Sequence, residues 1–254
     1  MKLLLTPNIK PMKRLVRSLV FVCCISFPFT SCIDIIEDMI LKKDGTGTYA
    51  VTIDMGEMMN DPMLKGLMET DEKNKEKNKD IDSTVQLGDL PDSLIAENPD
   101  LWKRTKMHIY SNSKEEAFFV KISLDFKNVS EIAYLSANIN KVMEKAKANP
   151  LGEEQASSGG SPGLLNEGIG YVLNGKELVR KTSTPQADEP TEDLEMMKSF
   201  LGSAEYKMNF EMPGKVKKAT FPNAKVVGKK VSVVIPFLDI LEKKANPDGM
   251  IGFK

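Results

Sequence analysis

Residues 117–132 read A-F-F-V-K-I-S-L-D-F-K-N-V-S-E-I, and a change of period inside them decides the fold class. Phe118, Val120, Ile122, Leu124 and Phe126 recur at every second position, with Phe119, Lys121, Ser123 and Asp125 between them. A period of two sorts the two sets onto opposite faces of a β-strand, and burying each of the five apolar side chains contributes roughly 1.5–3 kcal/mol. This stretch is therefore expected at the centre of the core. From Asn128 the period lengthens. Ile132, Leu135, Ile139, Val142 and Met143 form a helical stripe, Asn128 or Ser130 can cap it, Glu131 lies in its first turn, and Asn149-Pro150 ends it beyond Ala148.

The same succession of strand and helix recurs on either side. Before it, the isoleucine-rich run 33–41, the turn Lys43-Asp44-Gly45-Thr46-Gly47 and the alternating run 49–53 predict a hairpin, because Asp-Gly tolerates the positive φ of a primed turn. Met55, Met58, Met59, Leu64, Leu67 and Met68 then predict a short helix that Pro62 interrupts. After it, Tyr171–Arg180 predicts a second hairpin turning at Asn174-Gly175, with a helical turn at 194–201. Tyr206, Met208, Phe210 and Met212 alternate, Pro213-Gly214 turns the chain, and Val231–Pro236 reads as a strand entering a helix at Phe237. This order predicts an α+β fold, a mostly antiparallel sheet built from hairpins with a few helices packed on one face.

Between these elements lie polar stretches. E-T-D-E-K-N-K-E-K-N-K-D at 69–80 has no core-forming residue, and N-P-L-G-E-E-Q-A-S-S-G-G-S-P-G at 149–163 is a linker by composition. Long disordered inserts are expected near 69–90, 149–168 and 181–193, within one domain spanning 32–254. With 41% hydrophobic residues the chain can build its own core, and no cysteine after Cys32 is needed for it or can form a disulfide.

The 254 residues carry 35 basic and 36 acidic side chains. Lys2, Lys10, Lys13, Arg14 and Arg17 precede position 32 and no acid does, so the remainder is net acidic. Nucleic-acid binding rests on neutralising phosphates with Lys and Arg, and no nucleic acid is expected as a partner.

From Met12 the chain runs through M-K-R-L-V-R into the apolar stretch S-L-V-F-V-C-C-I-S-F-P-F-T, then Ser31 and Cys32. A cationic start, a short apolar core and small residues before a cut define an export signal, and the run is too short to span roughly 30 Å of hydrocarbon. Met12 is expected as the true start. F-T-S-C resembles a lipobox of Bacteroidota lipoproteins, with Phe29 where an aliphatic residue is usual. The resemblance implies a signal peptide over 1–31, cleavage between Ser31 and Cys32, and diacylation of Cys32, palmitate included. A plain signal peptide, or a buried helix containing an incidental cysteine, is the alternative. Lipid on Cys32 would hold the chain on a membrane, and the strand-like run begins so soon after it that no flexible tether separates lipid from fold.

Three stretches resemble LppM-type lipoprotein domains: the post-cysteine strand leading to K-K-D-G-T-G at 42–47, D-F-K-N-V-S-E-I at 125–132, and M-P-G-K-V-K-K-A at 212–219. These motifs are turns and cover about half of the mature chain. The resemblance implies a β-rich envelope domain and supplies no catalytic residue.

Residues that could carry chemistry mostly have plainer readings. His108, the only histidine, alternates with Met107 and Ile109 as an ordinary strand position, far from any Cys or H-E-x-x-H partner. No S-x-x-K or G-x-S-x-G context suits a nucleophile. Gly45 and Gly47 belong to a turn and not to a phosphate loop. Met55, Met58, Met59, Met63 and Met68 could in principle offer thioethers to Cu(I), but their helical spacing is what core packing produces. No metal and no cofactor is expected. Asp82-Ser83-Thr84 and Asp92-Ser93-Leu94 resemble the Asp-Ser/Thr-apolar acceptor of envelope O-glycosylation, which marks Ser83 and Ser93 in an expected loop.

These readings converge on a lipid-anchored envelope lipoprotein, not an enzyme, that binds or assembles with a protein partner. Its expected place is the outer membrane, on the periplasmic face in preference to the cell surface. An envelope enzyme built from scattered residues and Met-based copper handling are the alternatives.

Overall fold

The structure, a computed structural model, describes residues 33–56, 80–145, 168–182 and 201–254. Residues 31–254 form one compact unit, and residues 1–30, a second unit, lie outside the described residues. In chain order the strands are β1 (Asp34–Leu41), β2 (Gly47–Asp54), β3 (Ile81–Gln86), β4 (Thr105–Asn112), β5 (Ala117–Phe126) and β6 (Ile169–Asn174). They continue with β7 (Glu177–Thr182), β8 (Glu205–Glu211), β9 (Val216–Ala219), β10 (Lys225–Val227), β11 (Lys230–Pro236) and β12 (Gly249–Phe253). The helices are α1 (Asp92–Ile95), α2 (Pro99–Trp102), α3 (Ser130–Lys145) and α4 (Phe237–Leu241).

The fold class is the expected α+β, with two sheets instead of one. The larger has the order β10-β11-β8-β1-β2-β5-β4-β3 and is antiparallel except where β1 runs parallel to β8; the smaller has the order β6-β7-β12-β9. β5, between β2 and β4, follows its alternation at four of the five positions: Val120, Ile122, Leu124 and Phe126 are buried, and Phe118, near the strand's start, is half-buried against the core. The same face of the large sheet buries Ile35, Met39 and Leu41 of β1, Tyr49, Val51 and Ile53 of β2, and Tyr206, Met208 and Phe210 of β8. The small sheet and α3 cover that face. α3 inserts Ile132, Leu135, Ile139 and Val142 into the shared core and lies beside β6, where Ser136 Oγ accepts the Gly168 and Ile169 amides at 3.1 Å.

Both predicted hairpins exist, with different turns. Leu41 pairs with Gly47, so the first loop holds five residues, and only Gly45 takes positive φ, at 84°. Asp44 closes it by accepting the Thr46 amide at 3.1 Å and hydroxyl at 2.8 Å. Gly47 is no turn residue; it opens β2, where a Cβ would come within 2.0 Å of the Ile40 carbonyl oxygen. In the second hairpin Asn174 pairs with Glu177, so Gly175 (φ 61°) and Lys176 form the turn, a type II′ arrangement displaced one residue from the expected Asn-Gly.

The insert expected over 69–90 ends earlier. Residues 81–86 are the edge strand β3 paired with β4, because their backbone finds a full ladder there even though the side chains of 81–84 are exposed and only Val85 packs on the core. Ser83 therefore lies on an edge strand and Ser93 in α1, both exposed and neither in a loop. The third expected insert starts after Thr182, since β7 runs to that residue. The helix expected at 55–68 lies outside the described residues beyond Gly56, and the helical turn at 194–201 enters them only at the buried Leu201.

Candidate functional site

Glu37 sits in phase with Ile35, Met39 and Leu41 on the buried face of β1, and Arg180 sits in phase with Leu178 on β7. A charge at a position that alternation assigns to the core needs a partner of opposite sign and a full set of hydrogen bonds. Each residue supplies the other's counter-charge and part of its hydrogen bonding. Arg180 donates from Nη2 at 3.0 Å and from Nε at 3.2 Å to Glu37 Oε2, and both side chains are wholly buried.

The remaining bonds come from elements around them. Glu37 Oε1 accepts from the Tyr49 hydroxyl of β2 at 3.1 Å and from the Tyr171 hydroxyl of β6. Oε2 accepts from the Tyr206 hydroxyl of β8 at 2.5 Å, and that hydroxyl accepts from Arg180 Nη2 at 2.8 Å. Arg180 Nη1 donates to Thr182 Oγ1 at 2.8 Å and to the Pro247 carbonyl at 3.1 Å. A guanidinium carries five N–H donors, and all five have acceptors here. The cluster thus joins β1, β2 and β8 of the large sheet to β6 and β7 of the small one.

Burial by itself would push the Glu37 carboxyl upward; the Arg180 charge and the Tyr171, Tyr206 and Arg180 hydrogen bonds outweigh it and hold the carboxyl below its usual range. Burial and the Glu37 charge keep the Tyr49 and Tyr171 hydroxyls protonated well above the usual phenol range. Burial works against the Arg180 charge, and Glu37 with the tyrosines more than restores it. The arrangement is a closed network of fixed charges that holds two sheets together.

A pocket of about 360 Å³ opens beside this network. The first hairpin loop contributes Asp44 and Gly45, the β5–α3 connection contributes Lys127 to Val129, α3 contributes Ser130, and β6 contributes Tyr171 to Leu173. Tyr171 links the two features, since it lines the pocket while its hydroxyl is spent on Glu37. The start of α3 is already satisfied. Asn128 Oδ1 accepts the Ser130 amide at 3.0 Å, the Asn128 carbonyl accepts the Glu131 amide at 3.0 Å, and Glu131 accepts the Lys127 amide at 2.8 Å while gripping Arg104 with both oxygens. Lys127 reaches out to Asp100 at 2.8 Å.

The residues marked in the sequence are scattered. His108 is half-exposed on the outer face of β4, 2.8 Å from Asp82 and edge-on to Phe119. Met55 is buried in the core, and Met58, Met59, Met63 and Met68 lie outside the described residues, as do Ser31 and Cys32. Among the described residues no group of three or more His, Cys, Asp or Glu side chains is placed to hold a metal ion. Sequence reading passed over Glu37 and Arg180, although a usable signal existed: one acid and one base, each in phase with buried residues of a different hairpin.

No family model and no curated protein matches this chain. Among solved structures, the folded domain of LppM from Mycobacterium tuberculosis is similar, with a TM-score of 0.40 and 8% identity over 89% of this chain and 92% of that one.

Proposed function

We propose that the protein is a lipid-anchored cell-envelope lipoprotein, exported, cut before Cys32 and acylated there, with a non-catalytic binding or assembly role. The observation that carries this reading is the junction between anchor and fold. The export-type run ends at Cys32, Ile33 is buried, and β1 begins at Asp34. A lipid on Cys32 would be joined directly to a central strand of the large sheet. Two or three acyl chains would hold it durably, since each buried methylene contributes about 0.8 kcal/mol.

A binding role suits the distribution of polar chemistry. The strongest charged cluster is internal and saturated, whereas the pocket stands beyond the far end of β1, roughly 23 Å along the strand from Asp34. With the anchor at one end, that pocket and the exposed Val172 on its wall would face away from the membrane, toward a protein partner. The outer membrane, periplasmic side, is the proposed location.

The test is intact mass spectrometry of the mature chain from membrane fractions of the native host, beside a Cys32→Ala variant. The expected wild-type species starts at an acylated Cys32, and the variant stays uncleaved or soluble. An unmodified N-terminus elsewhere overturns the anchor. The same spectra read Ser83 and Ser93, where added hexose mass would mark glycosylation.

A further inference from the structure

The paired residues Pro236, Glu205, Asp34, Asp54, Phe119, Tyr110 and Asp82 form one row across seven strands of the large sheet, from β11 to β3. From β11 to β2 this row ends the sheet on the side where the chain enters from Cys32, and β5, β4 and β3 run one or two residues past it. We propose that this end of the sheet is a membrane-resting surface, held at the lipid headgroup level by the acyl chains on Cys32. The proposal rests on the lipoprotein reading and adds to it an orientation and a second contact with the bilayer.

Tether length is the first argument. Only Ile33 separates Cys32 from Asp34, and with about 3.8 Å between successive Cα atoms Cys32 lies within about 8 Å of the row. Ile33 is buried, so the tether cannot pay out by peeling away at no cost. The domain has little room to stand off from the surface.

The residues found at that end form the second argument. On one side α4 starts where the row stops: the Phe237 amide donates to the Ala204 carbonyl at 2.8 Å, one residue beyond the Pro236–Glu205 pair. Phe237 is buried, Leu238 and Ile240 are half-exposed, and Lys243 and Lys244 follow in solvent. On the other side Tyr110 stacks on Phe119 at 5.1 Å, both half-exposed, and Ile81 is 40% exposed. At about 4.8 Å per strand, α4 and Phe119 lie roughly 10 Å to either side of the anchor strand and Ile81 roughly 19 Å away. Apolar and aromatic side chains are the chemistry that settles at a membrane–water interface, and the carboxylates of Glu205, Asp34, Asp54 and Asp82 between them keep the row at headgroup level and no deeper. The lipid and one group on each flank give three contacts along this end of the sheet.

The experiment uses the mature, acylated chain, in which Cys32 is blocked by lipid and no other cysteine follows. Leu238→Cys, Ile81→Cys and, at the opposite end of β1, Lys43→Cys are each labelled with an environment-sensitive fluorophore. They are then compared in detergent and in vesicles of phosphatidylethanolamine and phosphatidylglycerol. The expected result is a blue shift and loss of iodide quenching at positions 238 and 81 in vesicles, with position 43 unchanged. Two independent rim positions guard against one variant folding poorly. Equal iodide quenching at all three positions on acylated protein overturns the inference and leaves the anchor standing. Absence of lipid on Cys32 in the mass spectrum overturns both.

Discussion

Glu37 and Arg180 show how much can depend on one pair of side chains. Removing two charges from water costs several kcal/mol per ion, and only mutual attraction with complete hydrogen bonding restores it. Arg180→Met leaves Glu37 buried without a counter-charge and should destabilise the fold by about 3–5 kcal/mol in denaturant unfolding. Replacing Glu37 and Arg180 together by Gln and Met should cost less than the Arg180 change alone, because no buried charge is then left unpaired. Acid acts on the same pair. The Glu37 carboxyl is held below its usual value in the folded state, so its contribution is present above the unfolded pKa, near 4.5, and fades as pH falls through the lower folded value. Stability should therefore drop on acidification below about pH 4.5, and Glu37→Gln should flatten that limb of the profile.

At the scale of elements, β12 tests whether the second sheet is a unit. It is the last strand in the chain and runs between β7 and β9, pairing Gly249 to Gly252 with β7 and Ile251 to Phe253 with β9. Truncation after Asp248 should leave β9 without a ladder and β7 paired on its β6 side alone, and remove the buried Ile251 and Phe253; circular dichroism should show loss of a cooperative thermal transition. Retention of a sharp transition would mean that the large sheet folds without its cover. Sequence reading did not identify β12, because G-M-I-G-F carries two glycines and too few residues for alternation to show. β3 was hidden for a related reason: only Val85 of this edge strand packs on the core, too little for an apolar face to show, and its place comes mainly from backbone pairing with β4. β5 and α3 were legible because their apolar residues repeat over several turns of the pattern. The parallel pairing of β1 with β8 joins residues 34–40 to 205–211, a separation that no local pattern encodes. The pocket was equally hidden, since it forms where three separated stretches converge.

At the scale of the whole molecule, the short junction between Cys32 and β1 makes anchoring and orientation one property. Lipid alone would tie the chain to a bilayer at any angle if the tether were long, whereas one buried residue after the cysteine fixes which end of the sheet meets the surface. Lengthening the junction separates the two. A Gly/Ser insert of about ten residues between Cys32 and Ile33 would span roughly 16–19 Å on average, enough to lift the sheet end off the headgroups. Folding stability should stay within about 0.5 kcal/mol of the parent, because no packed residue changes. Membrane attachment should also persist, since the acyl chains remain. A fluorophore at position 238 should regain iodide quenching only to the extent that the rim's own affinity fails to hold it down. Full recovery would assign the resting orientation to the short tether, whereas continued protection would assign it to Leu238, Ile240, Ile81 and the stacked Tyr110 and Phe119.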